Sequence, residues 1–300
     1  MPLTRSDMPN LLEDGLKTVF FEALDATIGD YQRVATIVGS SSDEEQYPWL
    51  GAVPSVREFK DERMPLGLME HNYSIRNKTW ESSIAVERSA IEDDKYGAIK
   101  LRVQSLAREA KRHMDEIVFT LVRGGFATKC YDGQYFFDTD HADGESGAQS
   151  NKGTASLSAS ALQDAITAMM KYKDDRGKFL GIKPDLLVVP PDLQWTAMEL
   201  LESTYWPEGQ TNEKNADNVL KGKLDLLVSP YLTDTSDWFV LSTKGVIKPV
   251  ILQSRTPVEF AALEADSESG FMRDQYIYGV RARYNAGYGL WQMAYGSQAS

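Results

Sequence analysis

Cysteine is almost missing from this 300-residue chain, with Cys130 the only one. A single thiol closes no intrachain disulfide and builds no thiolate cluster, which fits a reducing compartment and excludes zinc-ribbon and Cys-x-x-Cys sites. Histidine is nearly as scarce: His71, His113 and His141 are all there are. Basic residues are outnumbered, 32 against 44 acidic, for a formal charge of −12. Such a chain repels polyphosphate at long range, and a sequence-reading nucleic-acid binder is disfavoured. No apolar run approaches the roughly 20 residues of a bilayer span. Residues 1–13 are polar and acidic where a signal peptide needs a basic and then an apolar stretch. The expectation is a soluble protein that stays where it is made. Also missing are GxxxxGK[ST], a GxGxxG after a strand, HExxH and GxSxG, so triphosphatase, dinucleotide, zinc-protease and α/β-hydrolase readings lose their main support. With 12 Pro and 22 Gly the chain is neither collagen-like nor of low complexity. Its 42% hydrophobic and 25% charged residues predict a fold with a sizeable core.

What is present divides into segments. Residues 10–26 carry Leu12, Leu16, Val19, Phe20 and Leu24 on one side of a helical wheel. The small polar stretch GSSSDEE at 39–45 reads as a flexible linker, which makes the preceding helix an arm outside the core. Pro48, Pro54 and Pro65, followed by the alternating pairs Tyr73/Ile75 and Ile84/Val86, predict a long, charged β-hairpin with little to bury by itself. An isolated two-stranded ribbon is marginal in water, so this one is expected to dock on something. The strongest period runs over 94–123, where Ile99, Val103, Leu106, Ala110, Met114, Ile117 and Leu121 make one apolar stripe. Asp93 or Asp94 would cap this spine helix and Gly124-Gly125 would end it in the left-handed conformation. Its other face, with Lys100, Arg108, Lys111 and Arg112, reads as solvated. An α/β region follows: a helix capped by Ser160 with Gln163, a buried strand at 186–189, a helix opened by Pro190-Pro191, and strands at 224–228 and 238–241. From 246 to 294 the pattern is β, with Tyr276, Tyr278, Val280, Ala282 and Tyr284 alternating with Arg281 and Arg283.

Chemistry is thin. Cys130 and His141 share one loop, but nothing nearby activates a thiol, and the cysteine reads as a packing residue. Asp138, Asp140 and Asp143 before Gly144 resemble a calcium loop, yet the spacing is one residue too long and Gln149 stands where a bidentate Glu belongs. Local turns made by those carboxylates, with His141 hydrogen-bonded among them, are the simpler reading.

The succession VPSVREFKDER (53–63), IRNKTWE (75–81), VERSAIEDDKYG (86–97), FFDTDH (136–141), PDLLVVPPDL (184–193) and YGVRARYNAGYGLWQMA (278–294) resembles the major head subunit of Mu-like phages and prophages. The resemblance implies an α+β capsid fold of the Hong Kong 97 type. Its parts would be an N-terminal arm (1–45), an extended loop (46–92), the spine helix and following loop of a peripheral domain (93–154), an axial domain (155–243), and a peripheral return segment (244–300). It implies a structural, non-catalytic protein without cofactor, assembled in the host bacterial cytoplasm and residing in the virion. The subunit would form pentamers and hexamers of an icosahedral shell around double-stranded DNA, touched non-specifically at most. A portal and, if needed, scaffold would be separate proteins, and no cross-linking Lys and Asn pair is recognisable. Arg63, Glu70, Arg76, Lys78, Arg281 and Arg283 are the expected subunit-interface residues, the last two pairing with carboxylates such as Glu264, Asp266 and Glu268 from the face turned away from the spine. Two other readings stay open on the residues alone: an oligomeric enzyme using the 138–143 loop, and a minor head or tail subunit.

Overall fold

The computed structural model describes residues 8–48, 73–89, 96–142, 144, 146–206, 217–263 and 272–299. The first helix, α1 (Met8–Ala26), forms where its apolar period lies, but it is no detached arm. Leu16 and Phe20 are fully buried in one cluster with Ile99, Val103 and Leu106 of the spine and with Tyr276, Tyr278 and Val280 of a sheet beneath. A helix with a complete apolar stripe needs a surface to cover it, and its own spine supplies one. After the turn α2 (Tyr31–Val34), strand β1 (Ala35–Gly39) runs parallel to a strand more than two hundred residues later, a pairing without any local signal. The polar stretch at 39–45 is an ordered turn and not a flexible linker. Glu45 Oε1 accepts from the amides of Ser41 (2.7 Å) and Ser42 (2.9 Å) and from Ser40 Oγ (3.0 Å). Those bonds, the Ser42 amide foremost, hold its carboxyl down at about 2.

Strand β2 (Glu44–Gln46) pairs antiparallel with β3 (Ser74–Arg76), and β4 (Lys78–Glu87) follows after one residue, Asn77. The stretches carrying Tyr73/Ile75 and Ile84/Val86 do not form a hairpin with each other: only Asn77 separates β3 from β4, too little for a reversal, and β3 pairs with β2 instead. Arg63 and Glu70 of the expected hairpin lie outside the described residues. The spine, α3 (Tyr96–Arg123), is 28 residues and about 42 Å long. Its predicted caps Asp93 and Asp94 are outside the described residues. At the other end the helix tightens into a 3₁₀ turn over Gly124–Phe126, and neither glycine has positive φ. Gly125 is required for another reason: a Cβ there would stand 2.6 Å from the Phe137 ring. The stripe also divides. Ile99, Val103 and Leu106 are buried as expected, but in the second half Val118, Phe119 and Val122 take the core while Met114, Ile117 and Leu121 are only half-buried.

The remaining elements are β5 (Lys152–Gly153), α4 (Ala159–Met170), β6 (Leu186–Val189), α5 (Gln194–Glu202), β7 (Asp225–Val228), β8 (Trp238–Leu241), β9 (Val250–Leu263), β10 (Gln275–Tyr288) and β11 (Ala294–Ser297). Ser158, not Ser160, caps α4, accepting from the Ala161 amide. The two strands read at 246–252 and 258–262 are one 14-residue strand, β9, with Pro257 at the register shift opposite Ala282, where no ladder N–H is needed. One sheet has the order β1-β9-β10-β4, the other β5-β11-β8-β6-β7. The last strand, β11, thus leaves the first sheet, where a boundary at 244 would keep it, and pairs with β8 and β5. Among the described residues no helix is long and apolar enough to cross a membrane.

Near the C-terminus, Asp237 is 4% exposed and its Oδ1 has no hydrogen-bond partner. Burial, with Asp234 adding to it, pushes this carboxyl up to about 6. The fold therefore favours the protonated form. The stabilisation is present in full below the ordinary carboxylate range near pH 4 and lost as pH rises through about 6. Asp237→Asn is expected to raise stability at pH 7.5 by on the order of 1–2 kcal/mol. The gain should vanish by pH 4, which melting curves at both pH values check; a gain equal at the two would contradict the assignment.

Candidate functional site

The loop after the spine begins with a tight turn. Lys129 bridges Tyr135, the Cys130 amide donates to Gln134 O (2.8 Å), and Gly133 takes φ +86, a conformation only glycine adopts without strain. The turn points Cys130 and Asp132 inward, and a second bridge, His141 to Gln149, brings the imidazole to them. Asp132 stands between the other two: Cys130 Sγ donates to Oδ1 (3.1 Å) and His141 Nδ1 lies 2.6 Å from Oδ2. His141 Nε2 faces Asn151 Oδ1 at 3.1 Å, and its ring stacks on Trp291, centroids 4.2 Å apart and planes 7° off parallel. Asn151 Nδ2 reaches the carbonyls of Phe136, Trp291 and Ala294. His141, Asn151 and Trp291 have no exposed surface.

This arrangement joins segments and does not suit a nucleophile. The thiol and the imidazole each address the carboxylate and not one another, so His141 is not placed as a base for Cys130. Burial, and then the charge of Asp132, push the thiol up, away from the reactive thiolate. Burial also works to raise Asp132, but bonds from His141 and Cys130 outweigh it and leave its carboxyl lowered. Cys130, Asp132 and His141 are the one group of three metal-capable side chains found within reach of each other among the described residues. All three are already tied to one another by hydrogen bonds that centre on Asp132. Of the calcium-loop candidates, Asp138 accepts from the amides of Thr139 (2.8 Å) and Tyr135 (3.2 Å), and Asp140 from Gln134 Nε2 (3.4 Å); Asp143 lies outside the described residues. Asp138 therefore makes local turns, as the simpler reading expects.

The outward residues form a different constellation. Along β10 the buried alternation Tyr276, Tyr278, Val280, Ala282, Tyr284 turns toward the spine, which leaves Arg281 and Arg283 on the opposite face. Their partners lie within the subunit. Arg281 meets Glu259 (3.6 Å) on β9 and stands opposite Glu81 on β4, while Arg283 meets Asp43 (3.1 Å). Arg76 also reaches Asp43 (3.3 Å), and Lys78 lies beside Trp80, its Nζ 5.9 Å from the ring centroid. Arg63 and Glu70, like Glu264, Asp266 and Glu268, lie outside the described residues. Sequence reasoning missed Asp132, Asn151, Asp43 and Glu259. Asp132, two residues after the cysteine and just before Gly133, carries a turn signal that was open to notice.

Comparison with known proteins follows the same outline. The profile of the Mu-like prophage major head subunit gpT matches residues 10–156, 152–232 and 233–300. The Mu-like prophage FluMu major head subunit of Haemophilus influenzae is 29% identical over 290 residues, 96% of this chain and 72% of that protein. The major capsid protein of Escherichia phage Mu is 27% identical over 276 residues, 92% and 68% of the two chains. In three dimensions the chain resembles a subunit of the procapsid of bacteriophage JBD30, with a TM-score of 0.62 at 29% identity, covering 98% of this chain and 76% of that one. The α+β architecture is the expected Hong Kong 97-type capsid fold. Matched by that profile along nearly its whole length, the chain belongs to the Mu-like prophage major head subunit gpT family.

Proposed function

We propose that this structural, non-catalytic head subunit self-assembles through pentamers and hexamers into an icosahedral shell that encloses double-stranded DNA. The observation that carries the reading is the likeness to a procapsid subunit over 98% of the chain. Assembly takes place in the host cytoplasm, with scaffold and portal supplied as separate proteins, and the finished subunit resides in the virion. Arg76, Lys78 and Arg283, together with Arg63 and Glu70, form its contacts with neighbouring copies; residues 46–92, 93–154 and 155–243 serve as extended loop, spine segment and axial domain, and 244–300 as a return segment whose last strand, β11, crosses to the sheet of β8. Exposed apolar side chains support a protein that is not finished as a monomer. Trp195 is 72% exposed and Val246 94%. The β4 strand, ten residues long, also has one edge unpaired among the described residues, a ready template for another chain.

Expression of the subunit, alone and with its neighbouring gene products, should give MDa particles visible as shells by sedimentation and negative stain. Small discrete oligomers under every condition would overturn the reading. Trp195→Ser with Val246→Ser should change subunit stability by less than about 0.5 kcal/mol each, as surface substitutions do, while lowering particle yield several-fold in the same assay.

A further inference from the structure

Three guanidinium groups converge on one carboxylate. Arg283 Nη2 lies 3.1 Å from Asp43 Oδ1, Arg76 Nε 3.3 Å from Oδ2, and Arg255 Nη1 4.0 Å from Oδ1. The group carries an excess of positive charge in a chain whose net charge is −12. One carboxylate cannot saturate three planar forks of N–H donors, and Arg283 Nε is buried with no partner. The neighbouring arginine differs. Arg281 stands between Glu81 and Glu259 in register, so its charge is matched within the subunit.

The cluster is built on ordered backbone. The turn presenting Asp43 is tied by Glu45, and the Asn77 side chain donates to Ser40 Oγ and Ser42 O, both at 2.8 Å, while its amide donates to Asp43 O at 2.8 Å. Arg255 and Arg283 rise from adjacent strands of one sheet. A receptor ordered in advance loses little entropy on binding. It is also open: the Arg76 side chain is 76% exposed and that of Asp43 57%.

We infer that Arg76, Arg255 and Arg283 form a receptor for a carboxylate of a second copy of this chain, with Asp43 filling only part of it. The inference rests on the shell reading above and names the partner group for that contact. Arginine forks match carboxylates in bidentate geometry, and 44 acidic residues per copy offer one. A nucleic-acid backbone fits less well. Glu44, the register partner of Arg76, and the row Glu81, Arg281, Glu259 flank the cluster with negative charge, so a run of phosphates laid across it would meet more repulsion than a single carboxylate seated on the arginines.

Arg76→Lys supplies an amine for zero-length carbodiimide coupling. Shells assembled from mixed isotopically heavy and light subunits are coupled and digested, and the linked peptides are identified by mass spectrometry. The expected product joins the amine introduced at position 76 to an Asp or Glu of another copy, in shells and not in unassembled subunits. Links to Asp43 or Glu44 of the same copy alone would overturn the inference. As a second measurement, Arg76→Gln with Arg255→Gln should leave the subunit folded by circular dichroism, yet lower the melting temperature of shells and flatten its dependence on salt. Unchanged shells, together with loss of binding of a short DNA duplex to the subunit, would overturn it in favour of phosphate. Failure of the shell reading has its own signature, since wild-type chain would then give no particles at all, and that result overturns both.

Discussion

His141→Ala is expected to lower the melting temperature of the isolated subunit by about 10 °C, or to leave it insoluble. The side chain removed is the hydrogen-bond donor of Asp132, whose own side chain is 4% exposed. Breaking a buried pair on one side costs about 3–5 kcal/mol, because the remaining charge stays buried without compensation. Against a fold worth roughly 5–15 kcal/mol that is a large share. At about 2–4 °C per kcal/mol it becomes the shift just named. The stack on Trp291 is lost as well. The double variant His141→Ala with Asp132→Ala should recover part of the loss, since it removes the stranded charge, whereas Cys130→Ala should cost little because a thiol is a weak donor. A shift under about 2 °C for His141→Ala would show the pair to be dispensable. Acid should act through the same group. The Asp132 carboxyl is lowered in the fold, so its stabilisation is present above the ordinary carboxylate range near pH 4 and lost only as pH falls below it.

That hub was half legible. Both Cys130 and His141 are rare residues in one loop, and rarity draws attention to them. Asp132 and Asn151 complete the network, yet in a stretch rich in Asp, Gly and Ser they look like any other turn residues. The spine was legible because a 3.6-residue period needs only one helix to express it. The register failed in its second half because the helix passes from one core to another: Val103 and Leu106 face α1 and β10, while Val118, Phe119 and Val122 enter a separate cluster with Phe136 and Tyr288. One straight stripe cannot serve two cores lying on different sides. Pairings between distant segments left no trace, since β1 with β9, or Asp43 with Arg283, depends on positions more than two hundred residues apart. The stretch at 39–45 shows the limit of composition. A linker and a tight turn both use Gly, Ser, Asp and Glu, and only the return of the Glu45 carboxylate onto Ser41 and Ser42 separates them.

The same limit explains why the first helix read as an arm, and it makes Phe20→Ala the sharpest test of where that helix belongs. In the fold Phe20 is fully buried, its ring 5.1 Å from Phe260 of β9 and 5.3 Å from Phe21. Its cluster includes Val103 and Leu106 of the spine and Tyr278 of β10, so one side chain touches helix, helix and sheet. Removing a buried phenylalanine ring forfeits transfer free energy and leaves a cavity that the neighbours fill only in part, about 3–5 kcal/mol together. An arm that waits for a neighbouring copy would behave otherwise. Phe20→Ala would then leave the unassembled subunit as stable as wild type and harm only the particle. Denaturant unfolding of unassembled subunits separates the cases, because a core position shifts the midpoint there while an assembly contact does not. The expected result is a loss of about 3–5 kcal/mol in the subunit itself, accompanied by a smaller loss for Val103→Ala across the same contact and a larger one for Val103→Asp, which sets an unpaired charge against Leu16 and Phe20. An unshifted midpoint for Phe20→Ala, with shells lost, would return the helix to the role of an exchanging arm.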